Sequence, residues 1–246
     1  MRYWLNSPDK KVNPEEFARR SAQVCEAYAA APELHTQGRH TVSTDEKTGM
    51  QAPERAAPTL PTKPGLIERQ EADYVRHGTQ VLTANFEVAT GKVICPTVGD
   101  TRTEADFADH VARTVAGDPG AGWAFVVDQL NTHQSEALVR LVATLCGIAM
   151  CLGVKGKSGI LESMASRRAF LEDPTHRVRF VYTPRHASWL NQVEIWFSIL
   201  ARRVLKRGSF TSTDDLRAKL LAFTAYFNAT MAKVFKWTYK GKPLTI

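Results

Sequence analysis

The stretch that most constrains this chain is FVVDQLNTH, residues 125–133. Phe125, Val126 and Val127 read as the end of a buried β-strand. An acid, Asp128, follows at once, and then an amide-rich turn, Gln129-Leu130-Asn131-Thr132-His133. A carboxylate at the end of an apolar strand is costly to desolvate unless something positive meets it. Whatever fold forms must bring a positive partner to Asp128.

The surrounding pattern predicts the elements that frame this strand. Phe17, Val24 and Tyr28 repeat at helical spacing over residues 14–31, and residues 40–46 form a short β-rich run ending in two acids, Asp45 and Glu46. Residues 51–77 carry Pro53, Pro58, Pro61 and Pro64 and read as irregular. Residues 79–98 read as a hairpin turning through Ala89-Thr90-Gly91. A helix is expected over 103–117 with Thr103 as N-cap, a strand over 123–128, and a helix over 134–149. The segment 150–177 interrupts the alternation with a Lys/Gly-rich turn and the helical run SMASRRAFLED. A strand at 178–182 follows, then a helix from Ser188 to Arg207 stopped by Gly208, where glycine is a common C-terminal cap. A last helix fits 214–229. This order predicts an α/β fold with a mixed sheet. Sites in such sheets collect at the carboxyl ends of strands, where Asp128 and the Asp45-Glu46 pair both sit.

Charge is divided unevenly. The 246 residues carry a net +7, but residues 1–150 hold 15 Lys and Arg against 19 Asp and Glu, a net of −4. Residues 151–246 hold 17 against 6, a net of +11. That asymmetry points to a polyanion laid across the C-terminal half, with a merely solvated basic surface as the alternative. No uncharged apolar run reaches the ~18 residues of a membrane span, and the N-terminus has no signal-like apolar stretch, so a cytoplasmic location is expected. Cys25, Cys95, Cys146 and Cys151 show no zinc-finger spacing and are expected to be reduced and buried.

A third acid stands in SWLNQVEIWFSILARRVLKRG. Trp189, Val193, Trp196, Leu200 and Val204 form an apolar stripe at helical spacing, and Glu194 lies about 100° from its middle. That places it at the margin of the buried face, where it either serves a site or pairs with a nearby arginine. Two acids at strand ends and one on a later helix form a set of hard oxygen donors suited to Mg²⁺ or Mn²⁺. Two such ions roughly 3.5–4 Å apart serve in-line phosphoryl displacement. On this reading Asp128 meets a metal and not a side chain.

STDEKTGMQA, FVVDQLNTH and YTPRHASWLNQVEIWFSIL resemble the three catalytic blocks of bacterial insertion-sequence transposases of the mariner superfamily. The similarity extends over nearly the whole chain, through KRGSFTSTDDL and KWTYKGKPL. It implies an RNase H-like sheet flanked by helices, with an inserted helical segment around 150–177. It also implies an Asp-Asp-Glu site on Asp45, Asp128 and Glu194 that holds Mg²⁺ or Mn²⁺, two ions in all. The implied activity is DNA cleavage at transposon ends and 3′-OH strand transfer into TA-containing target DNA. The partners implied are DNA and a second copy of the chain in the active complex, in a cytoplasmic, nucleoid-associated setting. Residue parity along a strand does not choose between Asp45 and Glu46; only the resemblance favours Asp45.

Two departures from the family pattern stand out. Asp128 and Glu194 are separated by 65 residues, more than the family's spacing, and the 150–177 insertion is expected to loop out without moving the acids. RYWLNSPD resembles the segment that follows the family's helix-turn-helix modules, so those modules are expected to be missing from this chain. The expected organisation is a helical linker over 1–38, a catalytic domain over 39–210, and a C-terminal helix with a basic tail over 211–246. A nuclease that cuts without joining and an inactive DNA-binding remnant are the alternatives.

Lesser candidates surround the acids. CLGVKGKSG mimics a phosphate loop, but the required first glycine is Cys151, so Lys155 and Lys157 are read as DNA phosphate contacts. Arg185 and His186 are candidates for the scissile phosphate region, and Asn131 and Asn191 for orienting carboxylates. His133 and His186 alternatively cap local backbone. Arg202, Arg203, Lys206 and Arg207 are read as phosphate contacts, or else as the usual cations at a helix C-terminus.

Overall fold

The computed structural model describes residues 12–69 and 72–239. RYWLNSPD and the last residues of KWTYKGKPL lie outside the described residues. Five strands form one sheet: β1 (Arg39–Arg55), β2 (Tyr74–Glu87), β3 (Val93–Gly99), β4 (Gly122–Val127) and β5 (Val178–Tyr182). Their spatial order is β3-β2-β1-β4-β5. β1 is antiparallel to β2 and parallel to β4, and β4 is parallel to β5. The sheet is therefore mixed, as the alternation predicts. The helices are α1 (Pro14–Thr36), α2 (Glu104–Ala116), α3 (Glu136–Leu145), α4 (Met164–Leu171), α5 (Val193–Leu200) and α6 (Thr213–Thr230).

Helices cover both faces of the parallel strands, which is why Ala124-Phe125-Val126-Val127 is apolar without alternation. Phe125 and Val127 face α2 and α3, packing with Phe107, Val111, Leu138 and Val142. Val126 faces the other way, with Phe17, Val24 and Tyr28 of α1. A third cluster seats α5 and α6 on β1 and β2 through Trp196, Leu200, Phe210 and Phe227 against Ala52, Leu82 and Phe86. Thr103 caps α2 in a reciprocal pair with Asp106, and β5 spans the expected residues 178–182.

Several local expectations are corrected. β1 and β2 run far past the expected short strand and hairpin, because the proline-rich stretch is irregular only between Arg55 and Tyr74. The cysteines are free, but only Cys25 is buried and Cys151 is exposed. The 150–177 insertion does not loop out. Leu161 and Leu171 are fully buried in the main core, and the nearly buried Arg167 donates to the carbonyls of Gln134 and Leu161. Its apolar side chains are too costly to leave in water.

The helix expected from Ser188 is broken. A 3-10 turn covers Ser188–Leu190, Asn191 is extended, and α5 starts at Val193 and continues as a π-turn over Ala201–Leu205. Trp189 consequently drops out of the apolar stripe and stands exposed, while Val193, Trp196 and Leu200 remain buried. Gly208 does follow the turn, but for a reason other than left-handed backbone. A Cβ there would lie 2.3 Å from the ring of Phe210, so glycine permits a close approach.

Candidate active site

Three elements deliver the acids. In the parallel pairing of β1 with β4, Ser43 lies opposite Val126; two residues further on, Asp45 and Asp128 stand at matching positions of neighbouring strands. Glu194 lies in the first turn of α5. A buried lock places that turn. Asn191 donates to the Thr44 carbonyl at 2.9 Å and to Asp45 Oδ2 at 3.3 Å, and it accepts from Ser43 Oγ. Ser43 in turn accepts from the Val193 amide at 2.8 Å. The Tyr28 hydroxyl ties α1 to the same junction by donating to the Leu190 carbonyl at 2.9 Å and accepting from the Gln192 amide at 3.3 Å. The extended Asn191 that breaks the helix is thus the residue that pins α5 to the strand carrying Asp45.

The adjacent acids Asp45 and Glu46 separate. Asp45 shares Asn191 with Ser43, two residues before it, and accepts from the Glu46 amide at 2.8 Å. Glu46 meets His133 Nε2 at 3.1 Å on the other face. His133 Nδ1 is 2.7 Å from Asp128 Oδ1, and the Leu130 amide donates to the same oxygen at 2.9 Å. A side chain, His133, therefore meets Asp128, contrary to the sequence expectation. His133 is fully buried, accepts at its carbonyl from the Tyr182 hydroxyl at 2.6 Å, and packs against Phe107.

Electrostatics divide the acids. Burial and then the charge of Asp128 push the Asp45 carboxyl up to about 7. Burial raises Glu194 too, with Lys47 pulling it down and Asp128 adding to the rise. Asp128 is also opposed by burial, but the hydrogen bond and charge of His133 hold it below the usual carboxylate range. For His133, burial opposes charge, yet hydrogen bonds to Asp128 and Glu46 win and raise it to about 10. The imidazolium neutralises one face of the cluster. A cation beside Asp45 and Glu194 would favour their ionised forms.

The remaining candidates scatter around this centre. Asn131 is exposed at the start of the 3-10 turn that carries His133, and among the described residues it makes no hydrogen bond to a carboxylate. Arg185 and His186 are exposed on the loop before α5, with His186 in left-handed backbone at φ 55°. Arg185 lines a shallow cavity with Gln129, Arg168, Arg20 and Glu16. Lys157 is exposed, and Lys155 stands 3.6 Å from Glu104, two residues from Arg102, whose charge reaches Asp128. Arg202, Arg203, Lys206 and Arg207 are all exposed, Arg202 being about 12 Å along the helix from Glu194 at 1.5 Å per residue. Sequence reasoning missed Ser43 and Tyr28. Ser43 was accessible in principle, since period 2 puts it on the face of Asp45; nothing local marks Tyr28.

Residues 40–217 match the family model of the DDE superfamily endonucleases, and the chain belongs to that family. Its fold is similar to that of the Mos1 mariner transposase catalytic domain, with a TM-score of 0.50 at 12% identity over 86% of this chain and 82% of that one. A pre-cleavage Mos1 transpososome gives 0.52 at 14% identity, covering 87% of this chain and 56% of the other. The Mos1 mariner paired end complex with Mn gives 0.51 at 14% identity, again over 87% and 56%. This chain therefore spans little more than half the length of the protein in those complexes. No curated protein sequence matches it. The likeness establishes the RNase H-like architecture.

Proposed function

We propose that this chain is the catalytic domain of a DDE transposase that cuts DNA at transposon ends and joins the 3′ end to TA-containing target DNA. One observation carries the reading: Asp128, just past the end of β4, acts by its charge on both Asp45, within β1, and Glu194, in the first turn of a helix held to β1 by Asn191. The donor set fits a divalent cation. It is made of hard oxygens, and burial together with the charge of Asp128 raises two of its members, Asp45 and Glu194.

Asp45, Asp128 and Glu194 would hold Mg²⁺ or Mn²⁺, two ions in this proposal, supplying Lewis-acid stabilisation of the attacking and leaving oxygens. The Mos1 complex with Mn supports that choice. Asn191 orients Asp45, and His133 orients Asp128 while satisfying Glu46. The basic C-terminal half, with Lys155, Lys157, Arg185, His186, Arg202, Arg203, Lys206 and Arg207, tracks DNA phosphates. A second copy of the chain would complete the complex on DNA, a reading to which the Mos1 mariner paired end complex lends support. The test is a nicking and strand-transfer assay with Mg²⁺ or Mn²⁺ on a duplex bearing the element's terminal repeat. Cleavage followed by joined product is expected. Cleavage without joining would reduce the chain to a nuclease, and no reaction with either metal would overturn the reading.

A further inference from the structure

At the N-terminal end of β1, away from the acids, three side chains from separate segments converge. His35 stands in the last turn of α1, His40 is the second residue of β1, and Glu87 ends β2. Their ligand-capable atoms all lie within 4.8 Å of one another. His40 Nδ1 is 2.5 Å from Glu87 Oε1 and His35 Nδ1 is 3.5 Å from the same oxygen. The His35 nitrogen is shielded from solvent yet makes no hydrogen bond. Five residues of strand, roughly 16 Å, separate His40 from Asp45.

We propose that His35, His40 and Glu87 bind a borderline divalent transition metal, Zn²⁺ foremost, which ties the end of α1 to the sheet. Two imidazoles and a carboxylate form an N₂O set suited to zinc, with water as fourth ligand, unlike the all-oxygen set of the acids.

The surroundings are those of a prepared site. Asp118 Oδ2 lies 3.2 Å from His40 Nε2; a carboxylate there holds the proton on Nε2 and leaves Nδ1 free to ligate. Thr90 Oγ1 donates to Glu87 Oε2 at 2.6 Å, which leaves Oε1 for the metal. The His40 ring is fixed by stacking on Trp123 at 4.2 Å. The C-terminal end of α1 adds partial negative charge. Tetrahedral ligands about 2.0–2.1 Å from zinc stand about 3.3 Å apart, so the His40–Glu87 contact opens slightly while His35 swings in. The competing account, a His40 hydrogen-bonded by both Glu87 and Asp118, leaves His35 Nδ1 shielded from solvent with no hydrogen bond, 3.5 Å from Glu87 Oε1.

The test titrates Zn²⁺ into the metal-free full chain against a chromophoric chelator, in excess Mg²⁺. One Zn²⁺ per chain is expected. His35→Ala should weaken binding by far more than tenfold. Asp118→Asn should cost about tenfold, as loss of an outer partner does. Asp128→Ala should change nothing. Co²⁺ should give visible d–d bands that vanish in His35→Ala. Glu87→Gln should behave likewise; should it fail to fold, His35→Ala decides alone, since His35 is half-buried and its circular dichroism will report folding. Absence of binding, wild-type binding by folded His35→Ala, loss of binding in Asp128→Ala, or a thiolate-to-cobalt band would each overturn the proposal.

Discussion

His133 Nδ1 stands 2.7 Å from Asp128 Oδ1, and its Nε2 reaches Glu46 at 3.1 Å. One buried imidazolium thus satisfies two carboxylates on neighbouring strands and holds one of them, Asp128, at the head of the site. Removing a partner from a buried ion pair leaves uncompensated charge. His133→Ala is expected to destabilise the fold by about 3–5 kcal/mol, read by urea denaturation. The double variant His133→Ala/Glu46→Gln should recover part of that loss. Equal stability of His133→Ala and wild type would mean that the triad is not formed in solution.

Asp45→Ala, Asp128→Ala and Glu194→Ala should each lower Mg²⁺-dependent cleavage by at least about a thousandfold while leaving circular dichroism unchanged, because each supplies a ligand to one cluster. Glu46→Gln should retain cleavage to within about tenfold, its task being to pair His133. A Glu46→Gln variant deader than Asp45→Ala would move the site by one residue.

Asn191→Ala removes the donor to Thr44 and Asp45 and the acceptor of Ser43. The orphaned buried groups should cost about 1–3 kcal/mol. Cleavage should fall more than DNA affinity does, because Glu194 loses its register with Asp45. Unchanged turnover in a folded Asn191→Ala protein would show that α5 is placed by its apolar face alone.

His110 is fully buried, with Nδ1 2.9 Å from Thr97 Oγ1. Burial first, then the charges of Arg113 and His133, push it down to about 3. The folded protein therefore keeps it neutral, whereas the unfolded chain protonates it near 6.5. Its contribution is intact above about 6.5 and is lost as pH falls toward 3, amounting to about 2 kcal/mol at pH 5. Wild type should lose about that much more stability than His110→Gln between pH 7 and pH 5. Parallel losses would show that the imidazole is solvated.

Replacing Arg202, Arg203, Lys206 and Arg207 by Ala should weaken DNA binding without regard to sequence. Each lost phosphate contact should lower the log–log salt slope by roughly 0.9. An unchanged slope would mean that these exposed side chains serve only the end of their helix.

Local rules carried the sequence a long way. The apolar run before Asp128, the Thr103 cap, the 178–182 strand and the stripe Val193, Trp196, Leu200 are all written in neighbouring residues, because strand parity, capping and helical periodicity act over a few positions. The division of charge needs no structure at all. What tertiary structure decided lies between segments remote in sequence. Asp45 and Glu46 point to opposite faces by strand geometry, but which face holds the site was set only when β1 paired with β4 and Asn191 reached across from residue 191. The helix break at Asn191 has no local signal, since the segment is helical by periodicity and is interrupted to satisfy buried groups on β1. The insertion packs because Leu161 and Leu171 find the core beside α3, and His133 becomes a cation because two acids from distant strands meet it where water cannot reach. Periodicity is a property of the chain, whereas desolvation and charge compensation exist only once the chain has closed around them.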